Sequence, residues 1–234
     1  MVYNTERAVN NYRFERKFSI PELSVHEVDD FVKKHPSMFY EIFHTRFVNN
    51  IYFDSVDLQN YYDSIHGSSY RVKIRIRWYD ELFGEIKKPV LELKIKEGIT
   101  GRKLSFSVKP FVLDKNFSAK KIRDILFESE MPAEIKYRFN YLFPVLLNRY
   151  KRKYFQSSDR KFRITLDNDL SFHRINILNN NFLDNHTDYQ NIVLELKYDH
   201  LFETTAEHVT NSLPFRLVRS SKYVVGIERL SVCS

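Results

Sequence analysis

The chain has 234 residues, 43% of them hydrophobic, with only 5 Gly and 7 Pro; this excludes a low-complexity chain and is enough sequence to bury a sizeable core. A net charge of +7 points to an anionic partner, whether nucleic acid, a phosphate compound or a membrane surface. One cysteine, Cys233, excludes an internal disulfide and a thiolate metal cluster, and no apolar run approaches the roughly 18 residues of a membrane span.

The opening stretch "MVYNTERAVNNYRFERKF" has no apolar segment of the kind a secretory leader needs, so a cytoplasmic location is expected. The Asn-X-Ser/Thr matches at Asn116 and Asn185 are then accidental. Period-two alternation predicts eight strands, at 12–19, 46–54, 70–79, 90–96, 101–108, 148–157, 161–169 and 191–198. Helical patterns fall between them. One follows Pro21 over 22–35 with the proline in its first turn, and a short one spans 57–65 from Asp57. Others start at Ser118, span 132–147 and span 201–213. Short links predict hairpins at "EGIT" and "SDR", while polar 176–191 reads as a disordered or variable loop. The sum is a single α+β domain over 1–234, whose eight antiparallel strands could close into a barrel with helices outside and so remove the exposed edges.

Side chains alternate along a strand. In "YRVKIRIRWY" (70–79), Arg71, Lys73, Arg75 and Arg77 therefore share one face, and Val72, Ile74, Ile76 and Trp78 the other. The same division recurs at Glu92, Lys94 and Lys96, at Arg163, Thr165 and Asp167, at Glu195 and Lys197, and at Arg13, Glu15 and Lys17, with Arg16 joining the apolar side. A half-exposed sheet with its charged face in water is the plainest account. Yet the charged face is mostly cationic, and like charges along a strand sit only about 7 Å apart. Turned inward in a barrel, that face would be a cationic tube suited to a chain of phosphates, gripped by Arg forks and Lys point charges. Single-stranded nucleic acid fits less well, because Trp78 faces away from the cations instead of offering a stacking platform among them. The histidines are scattered without ligand spacing, and no P-loop or GxGxxG is present.

The ordered set "FERKF" (14–18), "NNIYFD" (49–54), "RVKIRIRWY", "LELKIK", "GRK", "RYKRKYF", "RITLDNDL" (163–170), "VLELKYD" (193–199) and "RSSKYVVGIERL" (219–230) resembles the VTC (vacuolar transporter chaperone) domain. That domain is the polyphosphate polymerase branch of the CYTH or triphosphate tunnel metalloenzyme superfamily. The resemblance implies an eight-stranded antiparallel tunnel that binds ATP with Mn²⁺ or Mg²⁺ and passes its γ-phosphate to a growing polyphosphate chain. By motif position it implies Arg75, Arg77, Lys94, Arg152 and Arg163 as the catalytic cations. Lys17, Lys103, Ser221 and Lys222 are implied as substrate-binding residues, and Glu195 as the metal ligand. Glu15 would either take a second metal contact or pair with an arginine, the pair being the favoured reading, and Ser221-Lys222 would alternatively cap a helix.

The first strand departs from the ExExK pattern of the triphosphatase branch: in "RFERK", Arg13 stands where the first Glu would be. That exchanges a metal ligand for a cation and favours holding a longer anion over hydrolysis. The SPX domain and membrane segment of the eukaryotic relatives do not occur in this sequence, so any membrane coupling would come from a separate partner. ATP and polyphosphate are the expected partners; nucleic acid is not. The sequence leaves oligomeric state, nucleotide and metal preference open. It also leaves two rival functions, a triphosphatase using water as nucleophile and a polyphosphate-binding module without catalysis.

Overall fold

The computed structural model describes residues 13–98, 100–177 and 180–232. Strand β1 (Arg13–Ile20) is followed by α1 (Val25–Lys33), β2 (Tyr40–Asp54) and α2 (Gln59–His66). Strands β3 (Tyr70–Tyr79), β4 (Gly84–Ile86), β5 (Val90–Glu97), β6 (Thr100–Ser107) and β7 (Phe111–Leu113) come next. Helices α3 (Ala119–Glu128) and α4 (Ala133–Arg138) precede β8 (Phe143–Gln156), β9 (Phe162–Arg174), β10 (Asn185–Asp188) and β11 (Ile192–Asp199). The chain continues through α5 (Glu203–Asn211) and α6 (Lys222–Val232).

The expected α+β class and large antiparallel sheet are present, but the sheet is not closed. Its strand order is β1-β11-β9-β8-β2-β3-β5-β6, with β10 added beside β9, and among the described residues β1 and β6 end the path. Nine strands in an open sheet, plus a separate β4-β7 pair, replace the expected eight-stranded barrel. Alternation reports which face a side chain takes; closure depends on tilt and stagger, which alternation does not encode.

The chain divides into two compact units. The first holds the described residues up to His44, with Lys153–Leu166 and Ile192–Arg219; the second holds Thr45–Arg152, Asp167–Asn191 and the residues from Ser220 on. In the first unit, Phe18 and Ile20 of β1 pack with Val28 and Val32 of α1, Phe162 and Ile164 of β9, Leu194 and Leu196 of β11, and Ala206 and Val209 of α5. Arg16, the cation on that apolar side, is held there by the Tyr198 hydroxyl at 2.9 Å, Thr210 at 3.0 Å and Glu203 at 2.7 Å. In the second unit, Ile74, Ile76 and Trp78 of β3 and Leu91, Leu93 and Ile95 of β5 pack beneath Ile122 and Leu126 of α3 and Ile135 and Phe139 of α4. The apolar face of "YRVKIRIRWY" is thus covered by helices, as its alternation requires. Helix α6 lies so close to its neighbours that a Cβ on Gly226 would come within 2.6 Å of both Leu146 and Phe172.

Several element boundaries differ from expectation for local reasons. Ser24, not Pro21, opens α1, through a reciprocal capping box with Glu27. Helix α2 begins beyond Asp57, with Leu58 at its N-cap in the left-handed region (φ 57°) and no side-chain cap from that residue. The helix expected over 132–147 stops at Arg138, and β8 starts at Phe143, because Pro144 cannot continue a helix. Ser118 does cap α3, accepting from the Lys121 N–H at 3.3 Å. The polar stretch 176–191 contributes β10, which pairs with β9 from Asn185 to Asp188; residues 178 and 179, like Cys233, fall outside the described residues.

Candidate functional site

In the second unit, the polar faces of β3, β5 and β6 carry seven cations and one carboxylate. Register sets Arg71 opposite Lys96, and Lys73 opposite Lys94, which in turn faces Lys103. The carboxylate is Glu92, directly opposite Arg75. It accepts from Arg75 at 2.7 and 2.9 Å, pairs with Lys103, and lies 3.6 Å from Arg77. Burial pushes the Glu92 carboxyl up, but Arg75, Arg77 and Lys103 together pull it down to about 2, so it is ionised throughout the neutral range. Burial likewise works against the Arg75 charge, while Tyr52 and Glu92 more than restore it.

A second carboxylate anchors the other cations. Asp167, with no solvent exposure, takes both arms of Arg152 at 2.5 and 2.6 Å and the Lys222 ammonium at 2.6 Å. Between the two acidic centres sits Tyr150. Its hydroxyl accepts from Arg77 at 3.2 Å, and Arg152 and Lys222 lie 5.1 and 4.8 Å from its ring centre. Burial raises the Tyr150 phenol, but Arg152 and Arg77 outweigh it and bring the phenol below its ordinary value. Asn50 accepts from Arg77 at 3.0 Å and donates to Asn148 at 3.2 Å, which fixes the guanidinium laterally.

Four of these cations are withdrawn from solvent, while Lys94, Lys96 and Lys103 are exposed. Side-chain exposure is 26% for Arg75, 12% for Arg77, and 9% for both Arg152 and Lys222. Arg163 is exposed as well, and it makes no hydrogen bond or ion pair among the described residues. Ser221 precedes α6, and its hydroxyl accepts from Lys73 at 3.0 Å. It also serves the helix, since its backbone carbonyl receives the Val225 N–H at 2.9 Å. Trp78 faces the core and donates to the Glu81 carbonyl at 2.8 Å. Two clefts of about 490 and 480 Å³ in this unit are lined by none of these cations.

In the first unit, β1 and β11 set Glu15 opposite Lys197 and Lys17 opposite Glu195. The Lys17 ammonium lies 3.3 Å from Glu15 and 3.4 Å from Glu195, and Lys197 is 2.9 Å from Glu195. Lys17 is thus one partner of Glu15 among the described residues. Glu195 is buried. No group of three or more His, Cys, Asp or Glu side chains converges among the described residues. A hard divalent ion that keeps most of its shell for water and phosphate oxygens needs no such group; one or two carboxylates suffice. Glu195 is the buried carboxylate that could supply such a ligand, provided an ion displaces the Lys17 or Lys197 ammonium group from one of its oxygens.

The sequence singled out the cations but not the groups that hold them. Asp167 is visible in the sequence only as one polar position among others, and Tyr52, Tyr150 and Asn50 carry no charge pattern that would single them out. A period-two count along β2 and β8 from Arg152 would have put Asn50, Tyr52, Asn148 and Tyr150 on one polar face.

The VTC domain family model matches residues 12–231. The chain belongs to the VTC domain family. In fold, this VTC domain is similar to the PH1819 protein from Pyrococcus horikoshii, with a TM-score of 0.51 at 13% identity over 94% of this chain and 99% of that one. A "putative adenylate cyclase" from Vibrio parahaemolyticus gives a TM-score of 0.49 at 13% identity, covering 91% of this chain and 97% of that one. Another from Bacillus halodurans gives 0.49 at 12%, covering 88% and 92%. No curated protein matches the sequence. Among the described residues, no helix of the VTC domain is long and apolar enough to cross a membrane.

Proposed function

We propose that this VTC domain is a metal-dependent phosphotransferase that passes the γ-phosphate of ATP to a growing polyphosphate chain. The observation that carries the reading is the set of desolvated, pre-fixed cations in the second unit: Arg75, Arg77, Arg152 and Lys222 around Tyr150. Phosphoryl transfer asks little covalent help of a protein; alignment and charge stabilisation do most of it. Cations already oriented by Glu92 and Asp167 need no reorganisation when phosphate charge develops.

In the proposed reaction, an oxygen of the acceptor's terminal phosphate bonds to the γ-phosphorus. The bond from that phosphorus to the β–γ bridging oxygen breaks, and ADP leaves with the electron pair. The nucleophile is already ionised at neutral pH, so no general base is required. Arg75, Arg77 and Arg152 grip the reacting phosphate oxygens, with Lys94 adding charge. Lys103, Ser221 and Lys222 hold the rest of the phosphate chain, and Lys17 and Arg163 are the phosphate-contacting cations of the first unit. Glu195 would hold Mn²⁺ or Mg²⁺, which when bound neutralises phosphate oxygens.

The test is incubation with ATP and Mn²⁺, followed by a gel that resolves phosphate chains. A ladder of chains is expected, lost on chelation and reduced at least ~100-fold in Arg75→Ala and Glu195→Gln. Free phosphate without chains would instead mean a triphosphatase. Intact ATP with metal-independent polyphosphate binding would mean a binding module.

A further inference from the structure

Asp54 closes β2 with no exposure to solvent, and no cation pairs with it among the described residues. Its oxygens are held by hydrogen bonds alone among the described residues. The N–H groups of Ser55, Asn60 and Tyr61 donate to it at 2.8, 2.9 and 3.0 Å, and so does the Tyr223 hydroxyl. The Asn60 and Tyr61 donors belong to the first turn of α2, whose own N-cap, Leu58, offers no side-chain acceptor. Closing that turn would need only an exposed Asp or Ser. A fully buried carboxylate costs several kcal/mol of desolvation unless its donors are complete, of order the value for a buried charge; here the last donor comes from α6.

Tyr223 is itself 2% exposed, and it touches the phosphate cluster from two sides. Its ring stacks on Tyr52 with centroids 5.1 Å apart, and the Tyr52 hydroxyl accepts from Arg75 at 3.3 Å. Its chain neighbours are Lys222, bound to Asp167, and, one residue further, Ser221, bound to Lys73. Gly226 lets the next turn of α6 approach Leu146 and Phe172, so the helix is seated at both points. Burial, then the Asp54 carboxylate, push the Tyr223 phenol far above its ordinary value, so it remains a donor at every physiological pH.

We propose that Asp54 and Tyr223 are positioning residues that lock the start of α6, and through it Lys222, onto the phosphate-binding cations. The inference rests on the phosphate reading of the cluster. Neither residue touches phosphate in this scheme; both act through the placement of Lys222.

The test titrates inorganic tripolyphosphate into the wild type, Tyr223→Phe, Asp54→Asn, Lys222→Ala and the double variant Tyr223→Phe/Lys222→Ala. Tyr223→Phe keeps the stacked ring and deletes one hydroxyl; it is expected to weaken binding about tenfold. Asp54→Asn, which keeps one oxygen for the α2 N–H groups, reads the same coupling from the other side. The decisive readout is non-additivity: the double variant should bind no more weakly than Lys222→Ala, because Tyr223 acts through Lys222. A role confined to stability would instead lower the melting temperature and leave the affinity alone. Wild-type binding with an unimpaired Tyr223→Phe, or fully additive losses, would overturn the inference and leave the phosphate reading standing. Failure of the wild type to bind tripolyphosphate would overturn both.

Discussion

Glu92 and Asp167 each act in two opposed ways on the cations around them. Each lowers the cost of holding several positive charges out of water, and each would compete with an incoming phosphate for the same donors. Removing one partner of such a cluster leaves uncompensated charge, which is why these carboxylates matter more than a surface pair would. Glu92 makes this measurable through pH. Its carboxyl titrates at about 2 in the folded chain, against about 4.3 when unfolded. A depressed folded value means the stabilisation is fully present above about pH 4.3 and disappears as pH falls toward 2. Two pK units amount to about 3 kcal/mol, and partial solvent access reduces this to about 2 kcal/mol. Glu92→Gln is therefore expected to be less stable than wild type at pH 7, with a stability curve flatter by about that amount between pH 5 and 2. Urea unfolding midpoints across that range check it. Parallel curves for the two proteins would remove Glu92 from its role as the organising charge.

At the level of strands, the same cations create strain that an anion would relieve. Arg71 faces Lys96 directly across β3 and β5, two residues along from the Lys73-Lys94-Lys103 row. Like charges in directly opposed positions destabilise a sheet by roughly 0.2–1 kcal/mol. Arg71→Gln should thus raise ligand-free stability by about that amount in low salt. The gain should shrink in 1 M NaCl, where the screening length falls to about 3 Å; denaturant midpoints at two salt concentrations decide it. This face was legible in the sequence because β3 and β5 alternate without interruption, so Arg75 and Arg77 could be picked out by period alone. Their partners could not, since Glu92 meets Arg75 only through register, and Asp167 meets Lys222 only through tertiary packing. Strands β4, β7 and β10 are three or four residues long, too short for any period to appear. Helix α6 carried family residues but no polar-apolar alternation strong enough to announce it. The first half of β8 was hidden because "PAEIKYRFNYLFPVLL" has apolar residues at helical spacing, and only Pro144 marks the change.

For the molecule as a whole, a net charge of +7, together with the cation-rich polar faces of β3 and β5, should make stability depend on bound anion. Any ligand that binds the folded chain alone stabilises it by mass action, by about 2.7 kcal/mol at one hundred times its dissociation constant. In a chain of 234 residues each kcal/mol moves the melting temperature by roughly 2–4 °C. Saturating tripolyphosphate should therefore raise it by roughly 5–10 °C. Salt should act with opposite signs on the two states. Added NaCl screens the repulsion among the unliganded cations and raises the melting temperature of the free protein. The same screening weakens tripolyphosphate and shrinks the ligand-induced gain, though not to zero, because Arg77, Arg152 and Lys222 are too buried for bulk ions to screen fully. Thermal scans with and without tripolyphosphate at 50 mM and 500 mM NaCl would trace converging lines. Parallel lines would mean that the cation face is ordinary solvated surface, and a gain abolished outright by salt would mean that only its exposed lysines take part.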